Sequence, residues 1–272
     1  LMEGQYINLQ DEGEINAVIP VAFIVGLRHD IDTMLGLSRG VPAVMRLEEQ
    51  MNVRSSFYVR VRLLHDEDLI NMLRRAERDG WEIGLHLDNT FSLADARREL
   101  EALRSLGFNV RGVTIHGGLY GMLGEVTWRV IDGLGLAYAH AGGPPDWVKT
   151  PVIPGHHTLD YYVGRYGEHE GMRRLIRGII SDLRGSKASV LSSHPEYFVV
   201  SAGTMPVVES RLSPRIRVAK ILRKMLIAFY TMLGRNRVAP IYRELLGILG
   251  EHVALKPLID VCRVLYSSSC PA

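Results

Sequence analysis

From residue 20 onward the chain alternates between short apolar runs and amphipathic stretches of helical length. Residues 21–27 (VAFIVGL) are continuously apolar and rich in β-branched side chains, which suits a strand buried on both faces. Residues 38–52 then carry helical spacing at Val41, Val44, Met45 and Leu47. Residues 55–61 (SSFYVRV) predict a second strand, and 66–79 a helix that Gly80 closes. Residues 81–87 (WEIGLHL) predict a third strand. The helix over 92–106 opens at Ser92, with Asp95 three residues on, and ends at Gly107. Strands over 112–117 and 136–140 bracket a helix over 125–134. Residues 151–155 (PVIPG) form a weaker sixth run. A helix over 168–184 and a last strand over 188–194 (ASVLSSH) complete the series. Strands alternating with helices of 10–15 residues specify βα units and a parallel sheet. About seven strands, with no glycine-rich dinucleotide fingerprint after the first, favour a closed α/β barrel over an open sheet.

The two ends do not follow this rhythm. Residues 1–19 are acidic and weakly patterned, and predict a surface arm or an edge strand. Residues 206–272 predict three helices over 215–233, 241–249 and 257–265, an all-helical extension to the barrel of residues 20–205. The first of these helices has an apolar stripe at Val218, Leu222, Met225, Phe229 and Met232/Leu233. With 47% apolar and 23% charged residues in 272, the chain is globular, and disorder is excluded.

The formal net charge of +2 hides an asymmetry. Residues 206–272 hold 11 Lys+Arg against 4 Asp+Glu, and residues 1–205 hold 21 against 26. Arg215, Arg217, Lys220, Arg223 and Lys224 crowd one helix. They form either a solvated face or a platform for an anionic partner, a membrane surface or a substrate phosphate. Nucleic acid is not expected, because aromatic interleaving is sparse there. Cys262 and Cys270 make no disulfide framework and no zinc cluster, and read as one core thiol and one tail thiol in a reducing compartment. No apolar run reaches 18 residues, and residues 1–10 lack a signal pattern, so the expectation is a cytoplasmic protein, membrane-peripheral if the basic helices meet lipid.

In a parallel barrel, chemistry collects at the C-terminal ends of the strands. There the chain places Arg28-His29-Asp30-Ile31-Asp32, His86-Leu87-Asp88-Asn89, His116-Gly117-Gly118 and His194-Pro195-Glu196. Four of the ten histidines thus stand at strand tips beside carboxylates. Asp and His ligands suit a divalent ion, zinc first, with cobalt, nickel or manganese as alternatives. A second carboxylate beside the ion can serve as base, and a histidine across the site as acid.

RHDID, EIGLH, IHGG and LSSHPEYF, in this order, resemble the polysaccharide deacetylase (NodB-homology) superfamily. The closer resemblance is to its branch with an HDVD-type first motif and a final HPE motif. It spans residues 21–198 and leaves out the C-terminal helices. The resemblance implies a distorted (β/α)7 barrel. It implies Asp30 as catalytic base, Asp32 and His86 as metal ligands and His194 as the group that assists the leaving group. It further implies a metal-dependent hydrolase that removes an acetyl, or cuts a similar C–N amide bond, from a carbohydrate; if that sugar is linked to a nucleotide or lipid phosphate, the basic helix would hold the phosphate.

The chain departs from the family at Thr90, where familiar members carry a second histidine four residues after the first. His116 is the candidate third ligand, with substrate contact as its alternative. His116-Gly117-Gly118 also replaces the familiar Arg-x-Pro motif, and Gly117 and Gly118 can let backbone N–H groups approach an oxyanion. His29 reads as orienting a neighbouring carboxylate, and Asp88 as a further ligand or a support for one. His156, His157 and Tyr161 fall in a polar, aromatic loop that would contact a sugar or simply face solvent. Two other readings stand beside the hydrolase. One is a barrel without catalysis that binds carbohydrate or docks a partner, motivated by Thr90. The other is a phosphoesterase, disfavoured because a single ligand triad lacks the paired metals of such sites.

Overall fold

A computed structural model describes residues 5–7, 17–19, 23–117, 123–203, 214–267 and 270. In the N-terminal arm, β1 (Gln5–Ile7) and β2 (Ala17–Ile19) pair antiparallel as a separate two-stranded sheet. The main series runs β3 (Ile24–Ile31), α1 (Val41–Gln50), β4 (Ser56–Val59), α2 (Glu67–Arg78), β5 (Glu82–Leu87), α3 (Leu93–Ser105), β6 (Gly112–Ile115), α4 (Glu125–Gly133) and β7 (Tyr138–His140). It continues with β8 (His157–Thr158), α5 (Leu159–Tyr166), α6 (Glu168–Gly185) and β9 (Ala188–Ser193). The C-terminal region holds α7 (Pro214–Met232), α8 (Val238–Gly250), β10 (Ala254–Lys256) and α9 (Leu258–Leu265). The main sheet is parallel, in the order β7-β6-β5-β4-β3-β9-β8, and curls into a half-barrel with helices outside. This is the expected α/β architecture of a distorted (β/α)7 barrel.

Local chemistry sets the helix ends. The Asp66 carboxylate accepts from the backbone N–H of Asp68 and Leu69 at the start of α2, and Ser92 Oγ accepts from Asp95 N at the start of α3. Gly80 and Gly107 end these helices at φ of +100° and +91°. The buried stripe of α6 (Leu175, Ile176, Ile179, Ile180, Leu183) recurs every three to four residues and covers the sheet.

The two-residue period of the strands sorts side chains into two layers. Val25, Leu27 and Ile31 of β3 point outward into the core shared with the helices. Ile24 belongs to the interior cluster with Tyr58, Tyr138 and Val190, so Arg28 and Asp30 share its inward face. Tyr58 and Tyr138 are wholly buried and bond to each other through their hydroxyls at 2.6 Å. They fit because Gly84 and Gly112 face them; a Cβ at either glycine would stand 2.5 or 2.3 Å from a tyrosine ring atom.

Within the barrel, four expectations change. The first strand runs on to Ile31, because its polar residues are paired within the sheet rather than loose in a loop. The helix expected from residue 38 starts at Val41, after a π-turn over Gly36–Gly40. Gly40 abuts the chain near the last strand, where a Cβ would stand 2.3 Å from Pro195 O. Residues 151–155 supply only a bridge from Val152 to Ala139, and the short strand lies at His157–Thr158. Tyr161, expected in a loop, is on α5.

The C-terminal region adds a strand to its helices and is built into the barrel. β10 pairs with Ile24–Gly26 on the edge of β3 whose upper part, Arg28–Ile31, pairs with β4. The first turn of α9 enters the lower mouth: Leu258 N donates to Ser56 Oγ at 2.7 Å, and Ile259 N donates to Glu82 Oε2 at 3.0 Å. The buried Glu82 carboxyl thereby takes up an orphan N–H of the helix start. α8 buries Val238, Ile241, Tyr242, Leu245, Leu246 and Leu249 in the main core. The two cysteines are not free thiols: the turn after α9 brings their Cα atoms to 6.1 Å, and Cys262 and Cys270 are joined as a disulfide.

Candidate active site

The upper barrel interior is polar, and β3, β5, β6 and β9 converge on it. Asp32 follows the last residue of β3. Its Oδ1 lies 3.0 Å from His86 Nε2 and 3.0 Å from His116 Nδ1. His86 points inward from β5, and His116 directly follows β6, held by its backbone N–H to Leu87 O at 3.0 Å. The imidazole rings stand edge to face with centroids 5.3 Å apart. One ligand atom from each of Asp32, His86 and His116 lies within 4.8 Å of the others. A two-histidine, one-carboxylate set of this kind is a donor set for zinc and its first-row neighbours.

The hydrogen bonds around His86 fix which nitrogen it offers. Thr114 Oγ1 lies 2.7 Å from His86 Nδ1 and 3.4 Å from Asp30 Oδ1. An ionised Asp30 only accepts, so the Thr114 hydroxyl proton goes to Asp30 and its oxygen accepts from His86 Nδ1–H. Nε2 is then the nitrogen that faces Asp32: without a metal it donates to that carboxylate, and on losing its proton it becomes the ligand atom a metal requires.

Asp30, two residues earlier on the same face, is 6% exposed. Arg28 Nε donates to its Oδ1 at 2.8 Å, and Arg28 Nη2 donates to its Oδ2. Burial alone would raise the Asp30 pKa, but the Arg28 charge and hydrogen bonds, with His86, bring it down to about 2. Asp30 is ionised at neutral pH. Arg28 itself is placed from its other side by His140 on β7, whose Nδ1 accepts from Arg28 Nη1 at 2.7 Å. Arginine only donates, so His140 carries its proton on Nε2 and gives it to Gly155 O at 2.8 Å. Burial and the Arg28 charge lower His140 to about 3 and keep it neutral. For Asp32, burial is outweighed by hydrogen bonds from His116 and His86, which hold its carboxyl well below the usual carboxylate range.

His194, the residue after β9, closes the other side. Its Nε2 lies 3.8 Å from Asp32 Oδ2. Its Nδ1–H donates to Oδ2 of the wholly buried Asp160 at 2.9 Å, while its backbone N–H donates to Asp160 Oδ1 at 2.9 Å. Burial lowers the His194 pKa, but Asp160, then Asp32 and Asp30, raise it to about 10, so the imidazole is protonated at neutral pH. The neighbouring Glu196 is lifted by burial to about 7.

The remaining sequence candidates sit elsewhere. His29 points to the outer face of the sheet. It bonds Ser193 Oγ at 2.7 Å and the buried Glu48 at 2.9 Å, and Glu48 also accepts from Ser55, Trp81 and Tyr242. The carboxylate His29 orients is therefore Glu48, in the packing layer. Asp88 forms a bidentate pair with the buried Arg60, whose Nη1 reaches Asp32 O at 3.4 Å. Asp88 thus supports the Asp32 loop through Arg60. His157 lies against Gly178 of α6 and bonds Asp182 at 2.9 Å. Its neighbour His156 bonds Thr158 Oγ1 at 2.8 Å, with its ring 5.4 Å from that of His140. The Tyr161 hydroxyl accepts from Arg165. Gly117 has a φ of +64°, with open space where a Cβ would be, and Gly118 lies outside the described residues.

No family model and no curated protein matches the chain. Solved structures do. An allantoinase (Puue) aligns at 13% identity and a TM-score of 0.58, covering 93% of each chain. A probable polysaccharide deacetylase from Pseudomonas aeruginosa PAO1 aligns at 14% identity and 0.56, also covering 93% of each. A mutant of a CE4 family pseudoenzyme with restored enzymatic activity aligns at 11% identity and 0.52, covering 89% of this chain and 67% of that one. The fold is that of CE4 polysaccharide deacetylases and allantoinase. It is carried by enzymes and by a pseudoenzyme, so the argument for chemistry must come from this chain's own residues.

Proposed function

We propose that this chain is a metal-dependent hydrolase of the polysaccharide deacetylase type, which removes an acetyl group, or cuts a similar C–N amide bond, from a carbohydrate. One observation carries the reading. The Asp32, His86 and His116 ligand atoms converge within 4.8 Å, with an ionised Asp30 and a protonated His194 on either side. His116 stands in for the histidine that Thr90 replaces. The donor set suits zinc, with cobalt, nickel or manganese as alternatives. A divalent ion bound there supplies Lewis acidity that polarises a carbonyl and acidifies water.

The protein groups divide the rest of the work. Asp30 is a carboxylate held in one orientation by Arg28, and accepts the proton of the attacking water. His194 carries a proton on Nε2 facing the same space and delivers it to the leaving nitrogen or oxygen. Asp160 fixes its tautomer and stabilises the imidazolium. The left-handed turn at Gly117 lets backbone approach the substrate without a Cβ in the way. The test is metal analysis together with hydrolysis of a panel of N- and O-acetylated sugars. The reading expects about one equivalent of divalent metal and acetate release that Asp30→Asn abolishes while the metal stays bound. Less than a tenth of an equivalent after reconstitution, with no acetate released, would sink it.

The presence of a pseudoenzyme among the structural neighbours, with Thr90, favours one competing reading: a barrel that binds carbohydrate without turning it over. Calorimetry with zinc separates the two, since that reading predicts no tight metal site.

A further inference from the structure

β5 and β6 pair in parallel with His86 opposite Thr114, so these two side chains stand side by side on the inward face of the sheet. The same alternation puts Gly112, Thr114 and then His116 on that face. One strand thus leads to one member of the donor set and carries the residue that meets another. A slip of the pairing by one residue would turn Thr114 outward and separate it from His86.

Thr114 is wholly buried. Its Oγ1 lies 2.7 Å from His86 Nδ1 and 3.4 Å from Asp30 Oδ1. His86 Nδ1 and Asp30 Oδ1 are themselves 3.9 Å apart, beyond a direct hydrogen bond. The hydroxyl spans that gap because it can accept from one partner while it donates to the other. On its far side Asp30 is gripped by Arg28, which in turn bonds His140. A single row of bonds therefore crosses the barrel from β7 through β3 and β6 to β5. Its ends differ in kind: His140 belongs to the packing of the interior, and His86 to the donor set.

We propose that Thr114 is the positioning residue of His86: it fixes the imidazole with Nε2 toward Asp32 and ties the ring to the carboxylate assigned as base. The inference rests on the hydrolase reading and deepens it. Asp30 acts twice, accepting a proton from water and, through Thr114, supporting a metal ligand. A histidine ligand depends on the partner of its other nitrogen, and loss of such a partner costs about 10–100-fold in metal affinity or activity. Threonine suits the place. Its β-branched side chain has few rotamers on a strand, so the hydroxyl keeps one direction.

The test compares the full-length wild type with Thr114→Val, which keeps the shape and removes the hydroxyl, and Thr114→Ser, which restores it. Zinc affinity is measured by competition with a chelating dye, and the histidine rings by 15N NMR at pH 7, metal-free and zinc-loaded, with His86→Gln to assign the signal. Thr114→Val should bind zinc about tenfold or more weakly with an unchanged circular dichroism spectrum, and Thr114→Ser should stay within about threefold of wild type. Wild-type His86 should show a protonated, slowly exchanging Nδ1–H with and without zinc, and Thr114→Val should lose the slow exchange. Wild-type zinc affinity in Thr114→Val, a serine variant as weak as the valine one, or a metal-free His86 without a proton on Nδ1 overturns the proposal. A wild type that takes up no zinc counts against the hydrolase reading, and the spectrum of the metal-free protein still decides whether Thr114 holds the ring.

Discussion

Arg28 and Asp30 form a buried pair whose removal should be costly one residue at a time and much cheaper together. Both side chains are under 10% exposed, and Arg28 grips both Asp30 oxygens while bonding His140. Bringing Asp30 from its ordinary 3.8 down to about 2 corresponds to roughly 2 kcal/mol of stability at neutral pH. Arg28→Met removes that contribution and leaves burial to act alone on a carboxylate, so the total loss should reach about 3–5 kcal/mol. Asp30→Asn strands the guanidinium and should cost a comparable amount. The double variant buries neither charge. It should cost less than the sum of the two, with a coupling energy of about 2 kcal/mol or more. Urea unfolding of the four proteins at pH 7, without metal, measures the cycle. Single-variant losses that simply add, to within about 0.5 kcal/mol, would show that Arg28 does not hold Asp30.

Titration of the same groups shapes stability against pH in the metal-free protein. The folded pKa of Asp30 is depressed, so its contribution is present above about 4 and is lost as pH falls through about 2. The folded pKa of His194 is raised, so its contribution is complete below about 6.5 and is lost as pH rises through about 10. Thermal melts from pH 2 to 10 should show both limbs, and His194→Gln should remove only the alkaline one. Asp160→Asn should lower kcat by about 10²-fold or more at unchanged metal content, and activity within threefold of wild type would refute the Asp160–His194 relay. Glu82→Ala, at the lower mouth, should cost about 1–3 kcal/mol by orphaning the Ile259 N–H, with metal affinity unchanged, whereas Glu82→Gln keeps an acceptor there and should cost less.

The barrel is legible in the chain because its strands are buried on both faces and read as unbroken apolar runs between capped helices. The site is legible in part because histidine and aspartate at the end of such a run are out of place. Arg28 was within reach of the same logic, since two residues before Asp30 on a strand means the same face. His140 and Asp160 were not. Their roles depend on which strands become neighbours, a relation over 112 residues for Arg28–His140 and 34 for Asp160–His194. The residues around His157 misled because a two-residue strand and an eight-residue helix leave little periodic signal. β10 is three residues long with only Leu255 buried, and nothing local marks it as the piece that completes the β3 edge.

The measurement that bears most directly on the site is anomalous diffraction at the zinc edge from crystals of zinc-reconstituted protein. One peak is expected, about 2.0–2.2 Å from a carboxylate oxygen of Asp32, Nε2 of His86 and Nδ1 of His116. No peak among these three residues, or an ion bound with His116 turned away from it, would contradict the account.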